Sequence, residues 1–245
     1  MAAKVFNVTD KLNTPVEEAY RVLRTNIQFS SFDKKLKTLA ITSCYPSEGK
    51  TTTSMNLAIS MAKTGSKVLL VDADLHKPMI LKHLGGSNVA GLSNLISGRA
   101  TLEEVVNKTT VEGLFFIACG PKPPNPAEMV GSNRFKEFLN TVSEQYDIVI
   151  VDTPPLGSVI DCALIAAITD GTLLVVASKA VEYKVVQRVK DQLVKANANI
   201  IGVVLNKVVK SDYKNYYNYY NYYGSTKSKE KSWFQKLMKW KKAKK

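Results

Sequence analysis

Four side chains in this sequence could together move a phosphoryl group: Lys50, Asp72, Asp74 and Asp152. An ammonium neutralises phosphate charge, while carboxylates hold a divalent cation or take a proton from a hydroxyl. Phosphoryl transfer asks little more of a protein than this positioning and neutralisation. Lys50 stands in the segment Cys44-Tyr45-Pro46-Ser47-Glu48-Gly49-Lys50-Thr51, directly after the apolar run TLAITS and directly before a helical pattern. A strand, a loop and then a helix opening on Gly-Lys-Thr is the setting of a P-loop. There, backbone N–H groups and the positive end of the helix wrap an anionic phosphate. Pro46, Ser47, Glu48, Gly49, Lys50, Thr51 and Thr52 are therefore the expected phosphate contacts, with Lys50 reaching the β- and γ-phosphates and the Thr51 hydroxyl ligating Mg2+. The bare P-loop pattern begins with glycine where this chain has Cys44.

The three aspartates share a placement. Ile148-Val149-Ile150-Val151-Asp152 is an apolar strand that ends in a carboxylate, the shape of a Walker B strand, and Val71-Asp72-Ala73-Asp74 ends a second apolar run in two. Either one alone reads equally well as a helix N-cap at a strand–helix turn. Three of them at strand ends beside a P-loop read as a nucleotide site, because open parallel sheets bind ligands at the carboxyl ends of their strands. Asn206 closes the last apolar run, either as a contact to the adenine edge or as an ordinary strand-end turn residue.

The elements that must position these groups follow from periodicity. Thr38–Ser43, Lys67–Asp74, Leu114–Gly120, Ile148–Pro155, Thr172–Ser178 and Ile200–Asn206 are Val-, Ile- and Leu-rich runs without alternation, as strands buried on both faces should be. Helical patterns lie between them at Lys50–Lys63, Ser132–Gln145, Ser158–Ala167 and Val181–Lys195. The alternation predicts an α/β fold with a doubly wound, mostly parallel sheet. Pro15–Phe32 reads as an extra amphipathic helix before the first strand, with Pro15 suited to its first turn. The periodic pattern stops near Lys210, so residues 1–210 are expected to form one domain and residues 211–245 a flexible tail.

Composition fits this division. The 245 residues are 45% hydrophobic and 22% charged, enough for one full core. Three cysteines give neither a disulfide framework nor metal-ligand spacing, which fits a reducing cytosol. The first ten residues lack a signal pattern, and no run reads as a membrane span. Of the net charge of +13, the segment 225–245 alone carries +8, from nine lysines and one glutamate. Within it Trp233, Phe234, Leu237, Met238 and Trp240 recur at near-helical spacing. That pattern reads as a surface for an anionic membrane or a partner, or equally as a solubilising tail. Ahead of it, seven of the 11 tyrosines crowd into one run, Tyr213, Tyr216, Tyr217, Tyr219, Tyr220, Tyr222 and Tyr223. Spaced by asparagines and without Leu, Ile or Val, this run has no core to join. Its phenols are expected to be exposed and open to phosphorylation.

CYPSEGKT, LLVDADLHKP, IVIVDTPP and the tyrosine-rich C-terminus together resemble the bacterial tyrosine kinases of capsule and exopolysaccharide synthesis, P-loop NTPases of the deviant-Walker type. The resemblance spans roughly Thr14 to Tyr223 and takes in GPKPPNPAEMVGS and GVVLN. It implies an ATP- and Mg2+-dependent protein-tyrosine kinase in which Asp72 receives or orients the tyrosine hydroxyl while Asp74 and Asp152 hold the metal with Thr51. It implies that Glu18, Arg21 and Arg24 match the family's Glu-x-x-Arg-x-x-Arg motif of subunit contact in a ring, and that the tail tyrosines are phosphorylated between subunits. Lacking a span, the chain is similar to the split form of the family. That form is cytoplasmic and is recruited to the inner face of the membrane by a separate co-polymerase-type activator. One departure is His76, where the family usually has arginine. The rival within the P-loop class, a partitioning or division-site ATPase, carries a signature lysine where this chain has Tyr45. A nucleic-acid binder would use the tail's charge but would not need a nucleotide site.

Overall fold

A computed structural model describes residues 5–8, 12–30, 36–87 and 89–209. In chain order the elements are β1 (Val5–Phe6), α1 (Thr14–Ser30), β2 (Thr38–Ser43), α2 (Lys50–Ala62), β3 (Val68–Asp72), α3 (Ile80–His83), α4 (Leu92–Ile96) and α5 (Leu102–Val105). There follow β4 (Val106–Thr109), β5 (Leu114–Ile117), α6 (Pro126–Val130), α7 (Asn133–Gln145), β6 (Ile148–Asp152), α8 (Asp161–Ala166), β7 (Gly171–Ala177), α9 (Tyr183–Lys195) and β8 (Ile200–Asn206).

The eight strands form one sheet in the order β1-β4-β5-β3-β6-β2-β7-β8. Every pair is parallel except β4 with β5, which run antiparallel. The central strands β2, β3, β6 and β7 are buried along their whole length. This is why their sequences show no alternation: both faces need apolar cover. One face packs on α1 and α2 through Ile27, Leu57, Ile59 and their neighbours. The other packs on α7 through Phe135, Phe138, Leu139 and Val142, and on α8 and α9 through Cys162, Val189 and Leu193.

The predicted doubly wound sheet is present, with two differences in detail. The strand Ile200–Asn206 is not buried on both faces: it forms the outer strand of the sheet, and Val203 and Leu205 are 59% and 60% exposed. Its apolar composition describes its inner contacts, Ile201 and Val204, and not a covered position. The short antiparallel insertion β4 and the two-residue β1 extend the opposite edge and carry no periodic signal.

α7 begins where its sequence says it should, with the Ser132 hydroxyl accepting from the Phe135 N–H. All three cysteines are free and buried. Among the described residues no helix is long and apolar enough to cross a membrane.

Candidate active site

β2 delivers the chain into the loop 44–49, and the loop is forced into shape by two residues in the left-handed region, Ser47 (φ 67°) and Gly49 (φ 96°). Gly49 is also the N-cap of α2, and no side chain caps that helix end. A Cβ at Gly49 would stand 2.1 Å from the Asn206 amide nitrogen, so only glycine fits there. The uncapped start of a 13-residue helix, reached through a glycine turn, is a cradle for an anion.

Glu48, Asn206 and Lys207 clamp the loop. Glu48, 3% exposed, turns its carboxylate inward to accept from the Tyr45 N–H at 2.6 Å and the Ala177 N–H at 3.0 Å, fastening the loop to β7. Asn206 donates its Nδ2–H to the Glu48 carbonyl at 2.8 Å, and Lys207 donates from Nζ to the Ser47 carbonyl at 2.6 Å. The side chain of Glu48 is thus a structural staple and not a phosphate contact. Asn206 thus clamps the phosphate loop, a contact that neither the adenine reading nor the turn reading of this residue anticipated.

Strand register then gathers the carboxylates. Asp72 and Asp152 are direct partners across the parallel β3–β6 pair, and Ile41 of β2 pairs with Asp152 on the other side. Lys50, in the first turn of α2, reaches across to place Nζ 2.9 Å from Asp74 Oδ2 and 3.8 Å from Asp152 Oδ2. Asp152 also accepts from the Thr51 hydroxyl at 2.6 Å and the Ser54 hydroxyl at 3.0 Å. Asp72 accepts the Ile80 N–H at 3.1 Å and the Asp74 N–H at 3.3 Å. Asp74 accepts the Lys77 N–H at 2.9 Å, which holds the chain after β3 against the cluster.

Charge is short on water here. Burial pushes the Asp72 carboxyl up to about 8, reinforced by the charge on Asp152. Burial also raises Asp152, against the opposing pull of Lys50 and the Thr51 and Ser54 hydroxyls. Burial by itself would lower Lys50, but Asp152 and Asp74 outweigh it and hold the ammonium above its usual range. One cation among three carboxylates leaves an excess of negative charge, which suits a further, divalent cation. The donors are hard oxygens, and Mg2+ takes one or two carboxylates with the rest of its shell from water and phosphate. Among the described residues no group of three or more acidic, histidine or cysteine side chains is placed to hold a metal ion by itself. The residues present fit Mg2+ bound with a phosphate, through Thr51, Asp152 and Asp74.

A cavity of about 390 Å³ opens in front of this cluster. Pro46, Ser47, Gly49, Lys50, Thr51 and Thr52 form one side of it, and Asp74, His76 and Lys77 another. Pro154, Pro155 and Ser158 face them from the loop after β6. Among the aspartates only Asp74 lines the cavity; Asp72 and Asp152 lie behind it, wholly buried. His76, in place of the usual arginine, has Nε2 2.8 Å from Oδ2 of the buried Asp161 at the start of α8. Asp161, Ser158 and Lys207 carry no motif and were not expected in the site.

Elsewhere on the domain, the Glu18 carboxylate pairs with the exposed Arg21, one turn along α1. Arg24 turns the other way and donates to the Ser60 carbonyl of α2 at 2.7 Å. The expected phosphoacceptors, Tyr213 to Tyr223, and the basic segment after them lie outside the described residues.

Residues 36–201 match the AAA domain family. The tyrosine-protein kinase YwqD of Bacillus subtilis is 38% identical over 189 residues, which cover 77% of this chain and 80% of that protein. The kinase domain of the Escherichia coli tyrosine kinase ETK superposes with a TM-score of 0.79 at 34% identity, over 84% of this chain and 83% of the other. The septum site-determining protein MinD of Pyrococcus horikoshii, solved with Mg-ADP, is more distant: TM-score 0.59 and 25% identity over 69% of each chain.

Proposed function

We propose that this chain, which belongs to the bacterial tyrosine-protein kinase family, uses Mg-ATP to phosphorylate the tyrosine run of a neighbouring copy of itself. The observation that carries the reading is Lys50, in the first turn of an uncapped P-loop helix, held between Asp74 on the cavity wall and the buried Asp152 behind it. Relatives named as tyrosine-protein kinases, matched over most of their length, support it over the division-site ATPase.

In this reading the backbone of residues 46–52 and the N-terminus of α2 hold the ATP phosphates, and Lys50 neutralises charge on the group in transfer. Thr51, Asp152 and Asp74, directly or through water, would hold Mg2+, which would supply further neutralisation of phosphate charge. The phenol oxygen of the incoming tyrosine forms the new P–O bond as the bond to ADP breaks. Asp72, which stands behind the cavity that Asp74 lines, receives its proton or orients its hydroxyl. A phenol, with a pKa near 10, needs only a weak base. In the empty site burial holds a proton on Asp72 up to about pH 8; the positive charge of a bound divalent cation would release it and leave the Asp72 carboxylate as the base. Asn206 and Lys207 keep the loop in its binding shape.

Tail phosphorylation between subunits requires an assembly, and α1 with Glu18, Arg21 and Arg24 is its proposed contact. Each phosphate adds about −1.5 to −2 charges, so full modification of the run would add roughly −10 to −14. That outweighs the +8 of the basic segment and favours release of the ring. The chain works at the inner membrane face, recruited by a co-polymerase-type activator in capsule or exopolysaccharide synthesis, with further protein tyrosines as substrates.

The reading is tested by incubating the full chain with Mg-ATP and probing for phosphotyrosine, beside Lys50→Met and a chain lacking residues 211–224. Phosphotyrosine on the intact chain alone is expected. None on the intact chain, with an activator's cytoplasmic segment supplied, overturns it.

A further inference from the structure

A second cavity, of about 670 Å³, opens behind the wall of the first. The wall is the segment after β3. Lys77, Met79 and His83 line the active-site cavity, while Pro78, Leu81 and Lys82 of the same segment line the second. Its far side is the chain leaving β5, Cys119 to Pro121, together with Val89. Burial, then the charges of Asp72 and Asp74, push the Cys119 thiol up to about 12, so this far side stands close to the same carboxylates.

The segment shared by the two linings includes the short helix α3. A helix with its side chains measures about 10 Å across, and three residues of extended chain also span about 10 Å. The tyrosine run repeats with that interval. Tyr213, Tyr216, Tyr219 and Tyr222 are three residues apart, and so are Tyr217, Tyr220 and Tyr223. Every tyrosine in the run therefore has another three positions away.

We propose that the second cavity is an acceptor subsite: while one tyrosine of a neighbouring copy presents its hydroxyl at Lys50 and Asp74, the tyrosine three residues away seats its ring between Pro78, Leu81, Val89 and Cys119. This inference rests on the kinase reading above. The lining suits a phenol, whose apolar body fills such walls, and Lys82 at the rim brings a cation to the ring face. The repeat lets the same two cavities accept successive tyrosines as the segment advances three residues at a time. An isolated tyrosine would lose the second contact.

The test uses the full chain, radiolabelled Mg-ATP and biotinylated peptides of residues 211–224 that keep Tyr219 as the single phosphorylatable residue. One peptide carries phenylalanine at positions 216 and 222, a second carries phenylalanine two residues either side instead, and a third carries alanine throughout. The first is expected to show a KM at least about fivefold below the other two at similar kcat, the scale of burying one ring. Ala90→Trp, at an exposed residue lining the cavity, is expected to erase that preference while leaving the alanine peptide's KM and the KM for ATP unchanged. Equal KM for the three peptides in the unmodified chain overturns the subsite, as does a preference that survives Ala90→Trp. Transfer without spacing preference leaves the kinase reading standing; transfer to no tyrosine at all, tail included, removes both.

Discussion

Asp72 and Asp152 are register partners on adjacent parallel strands, both wholly buried, with neighbouring strands only about 4.8 Å apart. Two carboxylates so placed cannot both stay charged at ordinary cost. Lys50 sits nearer Asp152 and Asp74, and Asp72 is left to keep its proton. The strain in this arrangement is what a bound divalent cation and phosphate would relieve.

The first expected outcome concerns pH. In metal-free protein Asp72 titrates near 8 when folded, against 3.8 as its ordinary value. Between those values the folded state holds a proton that the unfolded chain has released, so stability falls as pH rises through the window and levels off above it. Asp72→Asn, fixed in the neutral form, should flatten that slope. It also loses one acceptor, a cost of about 1 kcal/mol at every pH. Thermal unfolding from pH 5 to 9 checks this; an unchanged slope in the variant contradicts it.

Gly49→Ala would put a methyl group onto the Asn206 amide and hold a non-glycine residue at φ 96°. The expected penalty is about 1–3 kcal/mol, with Mg-ADP affinity lowered at least about tenfold as the Asn206–Glu48 clamp opens. Calorimetric binding beside a melting curve reads both.

Glu48 tests whether the loop's clamp can be separated from its ligand contacts. Its carboxylate holds Tyr45 and Ala177 N–H groups and does not line the cavity. Glu48→Ala should cost about 1.5–3 kcal/mol, the range for hydrogen bonds to a charged group. Glu48→Gln, which keeps one acceptor oxygen, should recover part of it. A variant as stable as the parent would remove the staple from the account.

On α1 the two arginines should behave differently. The Glu18–Arg21 pair is largely exposed, so Arg21→Ala should leave the melting temperature nearly unchanged, within the 0–1 kcal/mol or so of surface pairs. Arg24→Ala breaks the bond to the Ser60 carbonyl and should destabilise the α1–α2 contact as well. If the motif builds a ring, light scattering will show both variants smaller than the parent. An Arg21→Ala sample of parental size and stability would confine the motif to the fold.

The phosphate loop and the strand-end aspartates could be read from sequence because their signals are local: an apolar strand, fixed spacing, then a helical period. The clamps on that loop could not. Lys207 and Asn206 meet residues 47 and 48 only because β8 ends where the P-loop turns. His76 finds Asp161 across 85 residues of chain. The helices α3, α4, α5 and α6, four or five residues each, are too short to show a helical repeat. The exposure of Val203 and Leu205 follows from β8 being outermost, and strand order is a property of the whole sheet.

Transfer to the tyrosine run of another copy is read directly by a mixing measurement. Full chain carrying Lys50→Met, with its tyrosines intact, is mixed with active chain whose seven run tyrosines are phenylalanine, in Mg-ATP with the two distinguished by mass. The account predicts phosphotyrosine on the Lys50→Met chain within residues 213–223, and none when that chain is incubated alone. An unlabelled Lys50→Met chain, beside an unmodified parent that labels itself, would contradict transfer between copies.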